Sequence, residues 1–214
     1  MKNKIILIII FGMLIITGIC CKEQTGEAYF QHNQNPYFPI NIGNIWKYTG
    51  LAIPGDTLVV QVTGYKKIAD KWYAAFERRL YRKGQEKGKA DAEYWTYGND
   101  GEIIHLDNET YDRGVKVETT TRYNTESKIG EETIVKYSDP VKLIAKNDTI
   151  SIYVVHFHDC LKYREGRLYK YLVKGIGVVN DGSYMLYEYK INNGKTIFLN
   201  PKLGNLVPMK FGIE

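Results

Sequence analysis

The sequence predicts a mainly β, single-domain protein: an antiparallel meander forming a strongly curved sheet or an open barrel, with little helix beyond an N-terminal signal segment. Three observations carry that expectation. Tyr outnumbers Phe 18 to 7, and a side chain with an apolar ring and a polar tip suits the half-wet face of a pleated sheet. From residue 36 the chain breaks into short segments rich in Val, Ile, Thr, Tyr and Trp, punctuated by Gly, Asn, Asp and Pro. No segment sustains a helical apolar period. The 214 residues, 44% apolar and 25% charged with only 3 Cys, exclude a disordered chain and a disulfide-dense scaffold.

Residues 1–20 read as an address. Lys2 and Lys4 form a positive n-region, and residues 5–19 are apolar apart from Gly12, Thr17 and Gly18. A spanning helix needs ~20 apolar residues, so a permanent membrane span is second to a cleaved signal. Residues 21–35 follow as a polar tether and residues 36–214 as the β domain. With residues 1–20 removed, Lys2 and Lys4 go, and the mature chain carries 27 basic and 24 acidic side chains, net +3.

The body then reads as hairpins in series. Residues 45–51 and 57–64 pair through Ile53-Pro54-Gly55-Asp56, whose Pro and Gly set the turn dihedrals. Residues 72–82 and 92–98 pair around a Gly- and Lys-rich tip at 83–89. Asn99-Asp100-Gly101 is a tight-turn signal that leads into residues 102–106. Residues 115–123 and 131–137 alternate apolar or Thr with charge, and Pro140 fits an edge or a strand start. Residues 149–163 form the longest strand-like run. Strands at 168–173, 177–179, 184–191 and 195–199 follow, the last two joined through Asn192-Asn193-Gly194.

Four groups of residues invite a functional reading. Trp46 and Tyr48 stand two apart and so share a strand face, with Trp46 expected to plug one end of the core. Gly175 and Gly177 flank Ile176 and leave room for a close neighbour; a strand and turn after them, rather than a helix, excludes a dinucleotide loop. Between residues 66 and 89 stand nine Lys/Arg against three acids. Within that run Arg78, Arg79, Arg82 and Lys83 could bind an anionic partner, although a solvated hairpin whose lysines discourage edge pairing is the preferred reading.

The fourth group is His156, His158 and Cys160, which in an unbroken strand would share one face as zinc or copper ligands. Alternate side chains of one strand run parallel and converge poorly on one ion, so His105 or Glu102 would have to complete the set. Structural packing, with a buried and inert Cys160, is the preferred reading, and no cofactor or metal is expected. The residues show no nucleophile elbow, C-x-x-C or HExxH, and the adjacent Glu131 and Glu132 point to opposite strand faces. A metal-dependent hydrolase using the His156/His158 face is therefore the alternative to a non-enzymatic binding protein.

Two resemblances accompany this reading. Cys20 and Cys21, directly after the apolar run, resemble the acylated cysteine of a bacterial lipoprotein signal, with Cys21 the preferred site because a small residue precedes it and Cys20 second. Residues 37–48 (YFPINIGNIWKY) resemble the FPL-x-x-GN-x-W-x-Y opening of a group of bacterial envelope lipoproteins of uncharacterised activity. Residues 157–162 and 171–179 resemble that group's F-x-D/N-C-L-x-V and Y-x-x-x-G-V-G-L-V segments, with Ile40 and Tyr163 as departures. The resemblance implies a mostly antiparallel sheet and an envelope protein held by acyl chains such as palmitate, on the extracytoplasmic side of the outer membrane or at the cell surface. It carries no activity with it; the signal, the Tyr- and Trp-rich strands and the missing catalytic motif point instead to a protein, glycan or apolar (lipid) ligand, and a place beyond the membrane to no nucleic acid.

Overall fold

The computed structural model describes residues 25–106, 118–135, 138–192 and 194–199. They hold one short helix, α1 (Gly26–His32), and thirteen strands in a single antiparallel sheet. The first six strands are β1 (Ile45–Gly50), β2 (Asp56–Ile68), β3 (Lys71–Arg82), β4 (Gln85–Tyr97), β5 (Glu102–Leu106) and β6 (Thr119–Asn124). The others are β7 (Glu132–Thr133), β8 (Val141–Ile152), β9 (Val155–Glu165), β10 (Leu168–Val173), β11 (Gly177–Asn180), β12 (Tyr184–Lys190) and β13 (Ile197–Phe198).

Spatial order runs β6-β5-β4-β3-β2-β1-β12-β11-β10-β9-β8-β7, with β13 on β12. The sheet is thus two meanders stitched together by β1 and β12, whose register places Ile45 opposite Lys190. It curls until its ends nearly meet. The hydroxyl of Tyr163 on β9 donates to the carbonyl of Asn124 on β6 at 2.9 Å, and the rings of Tyr123 and Tyr163 lie 5.1 Å apart. The result is a nearly closed barrel, the predicted class.

Local chemistry explains the hairpins. Ala69-Asp70 and Lys83-Gly84 both have positive φ at the two central turn positions, the geometry whose twist matches that of the flanking strands. Lys83-Gly84 corrects the expected tip at 83–89: two residues make the turn, and Gln85, Glu86 and Lys87 already pair with Arg82, Tyr81 and Leu80. The run at 149–163 is likewise not one strand. It folds back through Tyr153 and Val154, so that Ile152 pairs with Val155. This turn holds no Gly, Asn or Asp, and strand-like residues continue on both sides, so sequence pattern passes over it.

The tether expectation also changes. Thr25 caps α1, its hydroxyl accepting from the Ala28 amide at 3.3 Å, and Phe30 is buried against Tyr65 and Tyr97, ring centroids 4.8 and 5.7 Å away. Gly26 is needed there, since a Cβ would come within 2.5 Å of Tyr65 Cβ. Asn35 then donates to the Gly101 carbonyl and the Thr125 hydroxyl at 3.1 and 3.3 Å. Residues 25–35 are therefore part of the fold, closing the barrel end where the β2–β3, β4–β5 and β10–β11 turns lie. A helix burying one large side chain has too little periodicity to announce itself. Two expected strands differ in their bounds: β6 begins at Thr119 and β7 ends at Thr133, while residues 115–117 and 136–137 lie outside the described residues.

Candidate functional site

Inward alternation lines the barrel interior, and most positions fill it: Val62, Ile103, Leu143, Ile152, Leu172 and Leu186 are buried almost completely. A cavity of about 180 Å³ lies between them. Phe38, Trp46, Phe76 and Trp95 supply its aromatic wall. Phe38 stacks on Phe76 at 5.6 Å, Trp46 stacks on Phe76 at 6.0 Å, and Trp95 lies 5.2 Å from Phe38 and 4.7 Å from His105. The cavity runs from Phe38 and Pro39, at the α1 end, to Asp181 in the β11–β12 turn at the opposite end.

Charge enters the same space from separate strands. Arg78 on β3 pairs with Glu93 on β4 at 2.5 Å. Burial works against the guanidinium's charge, but Glu93 more than offsets it and Arg78 is held firmly cationic. Lys170 on β10 pairs with Glu165 on β9. Burial opposes ionisation of Glu165, yet Lys170, Ser138 and Arg122 together hold its carboxyl below the usual range. Arg122 on β6 also lines the cavity, and its Nη1 reaches Glu165 only at 3.6 Å, beyond hydrogen-bond distance. Tyr48 and Tyr123 present phenols whose pKa burial pushes up, so both stay protonated.

Trp46 and Tyr48 sit together on the inner face of β1, their neighbours Ile45, Lys47 and Thr49 being less buried. The indole Nε1 donates to the Ile176 carbonyl at 2.6 Å and the Tyr48 hydroxyl to the Val178 carbonyl at 2.9 Å. Gly177, with φ of +99°, lies beneath this indole, where a Cβ would stand 3.7 Å from Nε1. Gly175 does not share that role. It belongs to the turn before β11, φ +78°, and a Cβ there would meet nothing within 4 Å.

The basic run does not converge. Arg78 enters the cavity, Arg79 is tied to Glu77, and Arg82 forms a two-pronged pair with Asp56, both contacts 3.0 Å. Lys83 sits in the two-residue turn. Nor do His156, His158 and Cys160 share a face. Asp159 adopts φ of +55° and breaks the alternation, so both histidines are exposed while Cys160 is fully buried. His156 Nδ1 lies 2.8 Å from the Ser151 hydroxyl and His158 Nδ1 lies 3.3 Å from that of Thr149. Among the described residues no three His, Cys, Asp or Glu side chains are placed to hold a metal ion. Residues 1–20 and Cys21 lie outside the described residues.

Several cavity residues escaped the sequence reading: Phe38, Phe76, Glu93, Trp95, Arg122 and Lys170. A signal existed for Phe76. Phe76 and Arg78 stand two apart on one strand, which points a charge the same way as a core aromatic. For the others, only the curl of the sheet brings the strands together.

No protein-family model matches the chain, and no curated protein matches it. Among the described residues no helix is long and apolar enough to cross a membrane. Among solved structures the chain is similar to a candidate lipoprotein from Parabacteroides distasonis, at 13% identity and a TM-score of 0.45, over 77% of this chain and 95% of that one.

Proposed function

We propose that this is a non-enzymatic, lipid-anchored protein of the bacterial envelope whose barrel binds a small ligand. The observation that carries the binding is the cavity of about 180 Å³, walled by four aromatic side chains and edged by ion-paired charges. Ligand pockets combine apolar walls with a few placed polar groups, whereas a cavity closed by core packing alone would hold no charges. Its size and charges weigh against an acyl-chain carrier, which needs a longer apolar space. The apolar signal-like run with Cys20 and Cys21 supports the anchor, Cys21 being the acylated residue. The first described residues, in α1, cover one end of the barrel, and the cavity lining extends from that end to Asp181 at the other.

Two measurements test this. Radiolabelled palmitate should enter the wild-type chain and the Cys20→Ser variant but not Cys21→Ser; label in Cys21→Ser at the wild-type level overturns the anchor assignment. A thermal-shift screen of neutral and acidic monocyclic compounds should yield at least one stabiliser whose effect disappears in Trp95→Ala. A screen without any Trp95-dependent stabiliser overturns the cavity reading.

A further inference from the structure

Arg122 is the feature of the cavity that its own neighbours leave incomplete. Its side chain is only 26% exposed, yet the carboxylate it faces, Glu165, lies 3.6 Å away and is already engaged by Lys170 and by the Ser138 hydroxyl at 2.6 Å. A guanidinium carries five donors in a planar fork suited to a carboxylate, and withdrawing it from water without full hydrogen bonding costs stability. Arg78 and Lys170 bring two further positive charges to the same space, against Glu93 and Asp181 on its lining. The rings of Trp95 and Phe38, 5.2 Å apart, line the same cavity.

We propose that the cavity takes a single six-membered ring bearing a carboxylate, the carboxylate received by the Arg122 fork and the ring set against Trp95 and Phe38. This rests on the reading of the cavity as a ligand site and adds the ligand's class. The volume admits one ring and excludes an acyl chain or an oligomer lying lengthwise. Two sources share this chemistry: an acidic sugar, presented free or at the end of a glycan, and an aromatic acid. Both have a flat or apolar ring face and one planar anion. An unadorned phosphate would leave the aromatic wall unused, and a neutral sugar would leave the Arg122 donors unmatched.

Isothermal titration of the full chain in lipid nanodiscs tests the assignment with four probes: galacturonate against galactose, and benzoate against benzyl alcohol. The expected result is that one acid binds at least tenfold more tightly than its neutral counterpart. Whichever acid does so identifies the source. Arg122→Gln should abolish that preference and Arg122→Lys should restore part of it, with unchanged circular dichroism and melting temperature showing that both variants fold. Neutral and acidic probes binding equally, or an acid binding Arg122→Gln as well as wild type, overturns the anion class. If the neutral probes bind as tightly as the acids and lose affinity in Trp95→Ala, the cavity reading stands while this inference fails. Absence of binding by all four probes overturns the inference and leaves the cavity reading to the wider thermal-shift screen.

Discussion

The indole Nε1 of Trp46 donates to the carbonyl oxygen of Ile176 at 2.6 Å, which joins the first strand of one meander to the turn that opens β11 in the other. The bond is held by a buried ring beside Gly177, whose φ of +99° is a conformation that glycine adopts without strain. Trp46→Phe keeps an aromatic ring but strands the Ile176 carbonyl, and should cost about 1–3 kcal/mol. Trp46→Ala also opens a cavity and should cost about 3–5 kcal/mol. Urea denaturation midpoints check both. A Phe variant as stable as wild type would show that the carbonyl finds another donor.

The N-terminal segment is tied to the barrel by Tyr97, whose hydroxyl donates to the Phe38 carbonyl at 2.5 Å and accepts from the Ile40 amide at 3.1 Å. Burial raises this phenol's pKa, so the donor persists through the alkaline range in which exposed tyrosines ionise. Tyr97→Phe should destabilise by about 1–3 kcal/mol and speed amide exchange at residues 36–42 more than in β8 or β9. Uniform acceleration across the molecule would show that the strap has no local role.

Glu165 makes stability depend on acid. Its folded pKa lies below the ordinary carboxylate value, so its contribution is complete above the unfolded-state pKa and is lost as pH falls through the folded one. Glu165→Gln should flatten the acidic limb of a melting-temperature profile. At neutral pH it leaves Lys170 without its partner and should cost about 2 kcal/mol, less than a fully buried pair because water screens the site. An unchanged acidic limb would assign acid sensitivity to other carboxylates.

The exposed histidines should matter little. The exposed rings of His156 and His158 bond to Ser151 and Thr149 at the surface, so the double alanine variant should stay within about 0.5 kcal/mol of wild type. Stoichiometric zinc should leave the melting temperature unmoved; a rise of several degrees that vanishes in the double variant would restore a metal site.

The barrel was legible in the sequence because its strands obey a period of two and most of its turns use Asn, Asp, Gly or Pro. The Tyr153-Val154 turn was not, having none of these residues, and α1 was not, because it buries one large side chain. At the site, local pattern reached Trp46 and Tyr48, which are neighbours in the chain as well as in space. It failed at Cys160, where one residue with positive φ reverses the faces assigned by counting. It could not reach Arg122, Glu93 and Lys170 as a group, because their proximity is a property of closure and belongs to no single segment.

The junction of β1 with β12 has a kinetic consequence. Most pairings in this sheet join strands adjacent in sequence and can form as soon as each turn closes, but residue 45 must wait for residue 190. Loop-closure entropy makes so distant a pairing slow. Two partly ordered meanders with β1 and β12 as bare edges should therefore accumulate before the final step, and that interval is when the chain is most open to pairing with another copy of itself.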